Sequence, residues 1–366
     1  MAKSNNEGMK VLFIVPYPTE GPSSRYRVEQ YLPHLRAAGI EATVRSFIRP
    51  ASFYQLLYRR GHIWRKALFF LFSAASRLLD VVRASRYDLV FIHREAFPFG
   101  PPLVEWLLAR LGCPLVYDFD DAIYLPNSSQ ANRWLGFLKT PGKTARIISY
   151  SRRVIAGNDY LRDYARQYNP QVTIIPTPVD TDLYTVRPYP GAGGSEVTIG
   201  WMGSTTTSHY LRLLDDVFRR LAGRYNLTVK VVGGDYRLEG VNILNRPWSL
   251  AGEVADLQSF DIGVMPLPDN EWTRGKCGFK LLQYMGVGVP VVCSPVGVNG
   301  EIVQDGVNGY LAATEEEWLT KLSDLIEDAS RRQELGRQGR ATVEARYSVK
   351  VNAPRLLEVL HAAVEG

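Results

Sequence analysis

Three cations, Arg274, Lys276 and Lys280, crowd the start of a short amphipathic segment in the stretch PLPDNEWTRGKCGFKLLQYMGVGVPVV, residues 266–292. Leu281, Leu282 and Met285 recur at helical spacing from Phe279 to Met285. Gly286-Val287-Gly288 ends the pattern, and Val289-Pro290-Val291-Val292 suits a buried parallel strand. A helix N-terminus already carries about half a positive charge, so cations belong at its other end. No acid follows these three until Glu301. A bound anion, held by backbone N–H groups and the cations, resolves that conflict. Gly275 and Gly278 would let it approach the backbone. The spacing therefore predicts a phosphate or diphosphate site on Arg274, Lys276, Gly278, Phe279 and Lys280. The alternative is that the three cations splay into solvent.

Two further groups could do chemistry. Gly203-Ser204-Thr205-Thr206-Thr207-Ser208 follows a strand at Val197 to Met202 and precedes a helix with Leu211, Leu214, Phe218 and Leu221 on one face. Gly203, Ser204 and Thr205 offer hydroxyls and N–H groups to a phosphate, although a plain helix cap would need only one of them. Asp118-Phe119-Asp120-Asp121 ends the strand Pro114 to Tyr117, where doubly wound sheets bind ligands. Three carboxylates there could hold Mg²⁺, act as a base or cap the next helix. His93 ends the strand Tyr87 to Ile92 and reads either as a packed histidine or as a site residue.

The elements behind these residues alternate strand and helix throughout. Met9 to Pro16 is a strand, followed by a Gly/Pro/Ser loop, a helix from about Arg25 to Ala38 closed by Gly39, and a strand at Glu41 to Phe47. Gly21, Ser23 and Arg25 lie in or beside that first loop, which lacks G-x-G-x-x-G and so disfavours a dehydrogenase. Arg25 and Arg27 read as ligand contacts or as a solvated helix start. Asn158 is a natural N-cap. RPYPGAGGS, residues 187–195, has linker composition. Two domains follow, 1–186 and 187–348, with a last helix at 349–366.

Phe53 to Arg86 carries Arg59, Arg60, Arg65, Lys66, Arg77, Arg83 and Arg86 against one acid, Asp80, with Trp64 and Leu68 to Phe72 between them. It reads as basic amphipathic helix. Either it docks on an anionic membrane face, or its apolar stripe packs on the sheet and its arginines are solvated.

Composition bounds the rest. The 366 residues suffice for two domains, and 46% hydrophobic with 22% charged residues is globular usage. A net charge of +6 favours anionic partners. Cys113, Cys277 and Cys293 have no metal-ligand spacing, and their odd number suits a reducing, cytoplasmic setting. The polar start MAKSNNEG lacks a signal core, and no apolar run reaches about 18 residues.

Gly278 to Met285, with Gly288 to Val292, resembles the donor-binding segment of retaining GT-B glycosyltransferases of family four, and Val179-Asp180-Thr181-Asp182 resembles the family's segment at the end of its first domain. The likeness runs through both halves and is strongest over 197–348. It implies an α/β protein of two Rossmann-like domains facing across a cleft, with the last helix crossing back to the first. It places Lys280 on the donor diphosphate, with Gly203 and Ser204 where the family has Gly-Arg. The family's two glutamates fall on Gly275 and Gln283; Gln283 can still hydrogen-bond the ribose. Arg246 and Trp248 come beside the base, where Trp248 either stacks or packs under its loop. Asp120 takes the place of a histidine near the reacting sugar. Gly21, Ser23, Arg25, His93 and Asp121 line the acceptor side. The implied reaction moves a sugar from a nucleotide-sugar donor to a sugar, lipid-linked or glycan acceptor. It proceeds with retention and with no metal or other cofactor. A sugar-nucleotide epimerase or hydrolase of the same fold, and a non-catalytic nucleotide-sugar binder, stay open. Nucleic acid is not expected, because no recognised module for it is present.

Overall fold

The computed structural model describes residues 8–50, 52, 63–125, 140–187 and 196–366. Most of the expected linker, 188–195, and 53–62 of the basic segment lie outside them, as does the polar start through residue 7. The chain forms two compact units, Met1–Thr177 with Asn352–Gly366, and Pro178–Val351. The final helix, Val349–Glu365, thus begins in the second unit and belongs mostly to the first. There Arg355 donates to the Ile174 carbonyl at 2.7 Å and Arg152 to that of Ala363 at 3.0 Å.

The first unit is a six-stranded parallel sheet of β1 (Lys10–Val15), β2 (Glu41–Ser46), β3 (Leu89–His93), β4 (Leu115–Phe119), β5 (Arg153–Ala156) and β6 (Val172–Ile174). Their spatial order is β2-β1-β3-β4-β5-β6. β1, β3 and β4 read as near-continuous apolar runs because helices cover both faces of such a sheet, and the Phe13 and Phe91 rings meet 5.0 Å apart in its middle. The second unit repeats the plan with β7 (Val197–Met202), β8 (Leu227–Val232), β9 (Asn242–Arg246), β10 (Ile262–Met265), β11 (Val291–Cys293) and β12 (Tyr310–Leu311), ordered β12-β11-β10-β7-β8-β9. The order reverses between β1 and β3 in one unit and between β7 and β10 in the other. Crevices for ligands form at such points, beyond the carboxyl ends of the strands.

Two expectations need correction. The helix from Arg25 to Ala38 is broken into Pro22–Arg27, a 3₁₀ turn Glu29–Tyr31 and Leu32–Ala37. Pro33 has no N–H to continue the ladder, and Val28 leaves helical geometry at φ −131°. The basic segment, seen as one helix over Ile63–Arg83, follows the packing alternative only in part: Phe69, Phe70 and Val81 turn inward, and the rest of the apolar stripe does not. Arg77 and Asp80 are buried instead, while Trp64, Leu71, Phe72 and Val82 face outward. The buried guanidinium donates to the carbonyls of Ala96, Arg45 and Val15 and to Asp80, so the polar side of this helix is its anchored side.

Candidate functional site

The helix carrying Lys280 is seated on the sheet by Gly263, and its neighbour Phe260 by Gly200. A Cβ at Gly200 would overlap the Phe260 ring, and one at Gly263 would lie 2.5 Å from the Tyr284 ring. The space at Gly263 lets the helix Phe279–Gly286 lie close against β10, and that at Gly200 admits Phe260, whose ring lies 5.9 Å from that of Tyr284. Tyr284 then reaches β7, where its hydroxyl accepts from the Met202 N–H at 2.9 Å. Gly278 starts the helix at φ +63°, a left-handed conformation that glycine adopts without strain. Any side chain there would also strike Ile302.

Lys280 consequently stands at the carboxyl end of β7. Its ammonium lies 5.3 Å from the centroid of the buried Trp201 ring. A Cβ at Gly203 would come within 2.7 Å of Lys280 Cε and 2.5 Å of Trp201 Cη2. Gly233 follows β8 with φ +78°, and a Cβ there would strike the Gly203 carbonyl oxygen. Gly203 thus lies tight between Lys280, Trp201 and Gly233, while Gly278 lies tight against Ile302.

The other two cations are placed differently. Arg274 ends the short helix Glu271–Arg274 and forms a two-pronged pair with Asp269 at 2.6 and 3.0 Å. The acid that balances it precedes the cations in sequence, so the charge excess is smaller than a forward reading suggests. Lys276 rests its ammonium 5.4 Å from the Trp272 ring centroid. The Ser/Thr run differs too. Ser208–Leu214 is a 3₁₀ helix, and the α-helix begins only at Asp215. Ser204 Oγ bonds Thr206 Oγ1 at 2.7 Å, and Thr207 Oγ1 donates to the Ser204 carbonyl at 3.2 Å. Thr205 is exposed.

On the expected nucleotide side, Gln283 and Trp248 converge on Glu253. This buried carboxylate accepts from Gln283 Nε2 at 3.2 Å, from Trp248 Nε1 at 2.8 Å and from the Tyr184 hydroxyl. Arg246 is not part of this group; it lies 3.5 Å from Asp256, which also holds Lys230 at 2.9 Å. Sequence reasoning missed Glu253. It opens the helix Glu253–Gln258, where an acid is ordinary, and only tertiary contacts reveal its three donors.

In the first unit the candidates gather at the β1/β3 reversal. Ser23 Oγ lies 2.7 Å from His93 Nε2, and His93 Nδ1 lies 2.6 Å from Asp118 Oδ2. Asp118 also binds the buried guanidinium of Arg27, which donates on to the Ile175 carbonyl at 2.8 Å. Arg27 is thus a core residue, neither a solvated helix start nor an exposed ligand contact. Gly21 donates to the Pro18 carbonyl at 2.7 Å. Arg25 lays its guanidinium 4.5 Å from the centroid of the Tyr26 ring.

Asp120 and Asp121 share Arg94, which bonds them at 2.8 and 2.7 Å. The three carboxylates are committed to arginines, and among the described residues no group of His, Cys, Asp and Glu is gathered as a metal site. Arg94 itself was not singled out by sequence. Its signal is backbone strain, a non-glycine φ of +62°, which clusters at sites. Burial alone would raise the Asp120 pKa, but the Arg94 guanidinium, with His93 and Arg27, offsets this and brings it down to about 2. A carboxylate depressed on folding adds stability above its unfolded pKa and loses it as pH falls through the folded value. Acid titration followed by near-UV circular dichroism should therefore show a loss on the order of 2 kcal/mol between about pH 4 and pH 2 that the Asp120→Asn variant lacks.

A family model described as Glycosyl transferases group 1 matches residues 196–328, and one described as Glycosyltransferase Family 4 matches residues 26–183. Among curated proteins, spore coat protein SA of Bacillus subtilis (strain 168) is 30% identical over 78 residues, 20% of this chain and 21% of that protein. The chain thus matches about a fifth of that relative's length. Among solved structures, Anabaena HepE in complex with UDP-glucose superimposes with a TM-score of 0.66 at 18% identity, covering 97% of this chain and 100% of that one. A glycosyltransferase from Rickettsia africae ESF-5 gives 0.67 at 13% identity, covering 98% and 99%. Sucrose-phosphate synthase from Thermosynechococcus elongatus gives 0.66 at 15%, covering 97% and 98%. At these identities the structures speak for the fold, which is GT-B. The two family models, one on each half and both on the elements that carry the candidate sites, show that the chain belongs to the group 1, family 4 glycosyltransferases.

Proposed function

We propose that the chain moves a hexosyl group from a nucleoside-diphosphate sugar to an acceptor hydroxyl with retention of anomeric configuration. The bond between C1 and the phosphate oxygen breaks, and its electron pair leaves with the nucleoside diphosphate. The acceptor oxygen attacks C1 from the face that the leaving group vacates, and its proton passes to the departing phosphate oxygen. Charge grows on the diphosphate in the transition state, so a cation fixed in advance lowers the barrier. Lys280 is that cation, supported by Lys276 and by the N–H groups at Gly278 and Phe279; Gly203 gives its own N–H to the Val232 carbonyl and contributes by leaving room beside Lys280. Ser204 and Thr205 border this diphosphate site, and Arg274, once drawn from Asp269, adds a third charge to it. No step here calls for a resident metal.

The Glu253 group, with Gln283 and Trp248, receives the nucleoside, and Arg246 borders it. Asp120, the second catalytic candidate, orients a hydroxyl of the reacting sugar. Gly21, Ser23, Arg25, His93 and Asp121 belong to the acceptor side, where a sugar, glycan or lipid-linked hydroxyl enters. The cytoplasm is the proposed compartment. The observation that carries this reading is the placement of Lys280 at the strand-order reversal, against the glycine at the end of β7. Because the Anabaena protein binds UDP-glucose, uridine diphosphate is the first ligand to try. Thermal-shift measurements with UDP, GDP, ADP and dTDP should single out one nucleotide, which at 100 times its Kd adds about 2.7 kcal/mol. Proton NMR of the product made from the matching α-linked donor should then show an α linkage. A β product would overturn retention. Donor consumption without acceptor would favour a hydrolase, and binding without turnover a non-catalytic binder.

A further inference from the structure

The helix Ile63–Arg83 is inside out by the usual rule for amphipathic helices. Its outward face carries Trp64, Leu68, Leu71, Phe72, Leu79 and Val82, spaced so that all six share one side. Trp64 is 84% exposed, Phe72 69% and Val82 72%. Scattered exposed apolar residues are ordinary, but a continuous stripe on one helix marks an interaction surface. Weak packing does not explain it. The inward face is fixed by Arg77 and Asp80, 3.0 Å apart, and by Phe69 and Phe70, whose rings lie 6.0 and 5.9 Å from that of Phe47. Rolling the helix over would expose the ion pair's anchors and bury the stripe, so the stripe stays outside.

Charge decides what covers it. Arg65 and Arg83, both exposed, flank the stripe at its two ends, and exposed Arg86 follows. Asp80, the one acid of residues 63–86, is 2% exposed and already bonded by Arg45 and Arg77. The outward face is therefore apolar in the middle and purely cationic at its rim. A second copy of this chain would bring the same arginines to the same contact. The neighbouring helix, Leu103–Arg110, adds exposed Leu103 and Trp106, with the Arg110 guanidinium 5.5 Å from the Trp106 ring centroid. Tryptophan and arginine together suit the boundary between headgroups and acyl chains. No helix among the described residues is long and apolar enough to cross a membrane, so the contact lies in the plane of the surface.

We propose that this face docks the protein on an anionic phospholipid surface, the apolar stripe entering the headgroup boundary and Arg65, Arg83 and Arg86 pairing with lipid phosphates. Flotation of the full chain with vesicles tests it. Phosphatidylcholine vesicles with about one third phosphatidylglycerol should carry the protein up the gradient. Pure phosphatidylcholine should bind at least tenfold less. Raising salt from about 0.1 to about 0.5 M should release the bound fraction in part, since only the charge component is screened. Leu71→Glu/Phe72→Glu and, separately, Arg65→Glu/Arg83→Glu should each weaken binding tenfold or more at an unchanged melting temperature, because all four side chains are exposed. Wild-type binding by both variants would overturn the proposal. So would failure of the unaltered chain to bind anionic vesicles, or a concentration-dependent dimer abolished by Leu71→Glu/Phe72→Glu with no vesicle binding.

Discussion

Lys280→Ala should lower kcat/KM by about 10²–10³, the cost of removing one donor preorganised for charge that develops in the transition state. The loss should fall mainly on kcat, because the leaving diphosphate gains charge as the C1–O bond breaks while the ground state is served in part by Lys276 and helix N–H groups. The fold should stay intact. Lys280 is half-buried, and its contact with the buried Trp201 ring contributes about 0.5–2 kcal/mol, the span from exposed to desolvated pairs. Lys280→Arg is not a safe replacement, since Gly203 and Trp201 leave little room beside Cε for a planar fork. Steady-state turnover with the nucleotide sugar chosen by thermal shift, beside a melting curve, reads both effects. Turnover within threefold of wild type in Lys280→Ala would remove Lys280 from the diphosphate and leave the charged helix start without its proposed purpose.

The helix that bears Lys280 was legible in sequence because three local signals agreed. They were the helical spacing of Leu281, Leu282 and Met285, the glycines at 286 and 288, and an apolar run after them. The sheets were legible for a similar reason, since a strand covered on both faces reads as an unbroken apolar run. What failed was whatever depended on partners distant in the chain. Arg274 looked unbalanced because its acid, Asp269, lies upstream, in the loop just before the Asn270 cap of the short helix that Arg274 ends. Arg27 looked exposed because nothing near it in sequence foretells Asp118, 91 residues on. Glu253 looked like a helix-start acid, and its three donors come from Tyr184, Trp248 and Gln283. The helix Ile63–Arg83 stood open between two readings in sequence. Its apolar period was visible, but which face turned inward was decided by Arg77 finding three carbonyls and Asp80. Periodicity shows that a helix has two faces; buried polar partners decide which one the fold uses.

The same principle sets the largest stability effect expected here, at Asp118. Its carboxylate, 1% exposed, serves Arg27 and His93 at once, and Arg27 is 3% exposed. Burial pushes the Asp118 pKa up, but the Arg27 charge and the His93 hydrogen bond outweigh that and hold it below the usual carboxylate range. Asp118→Asn keeps the shape and removes the charge. The amide oxygen in the place of Oδ2 can still accept from His93 Nδ1 and Arg27 Nε, but the amide nitrogen faces Arg27 Nη2 in the place of Oδ1, and the guanidinium is left buried without its counter-ion. Breaking a buried pair from one side costs about 3–5 kcal/mol, which lowers the melting temperature of a unit this size by roughly 6–20 °C. The double variant Asp118→Asn/Arg27→Met separates this cause from simple misfolding. With the orphaned charge gone, the introduced amide can accept from His93 alone, and an apolar side chain of similar length fills the space of Arg27. Replacing both members of a buried pair is often near neutral, so the double variant should melt higher than Asp118→Asn even though it carries one more change. If it melts lower, the charge on Arg27 is not what Asp118 is there to balance, and the buried network at the β1/β3 reversal owes its stability to packing.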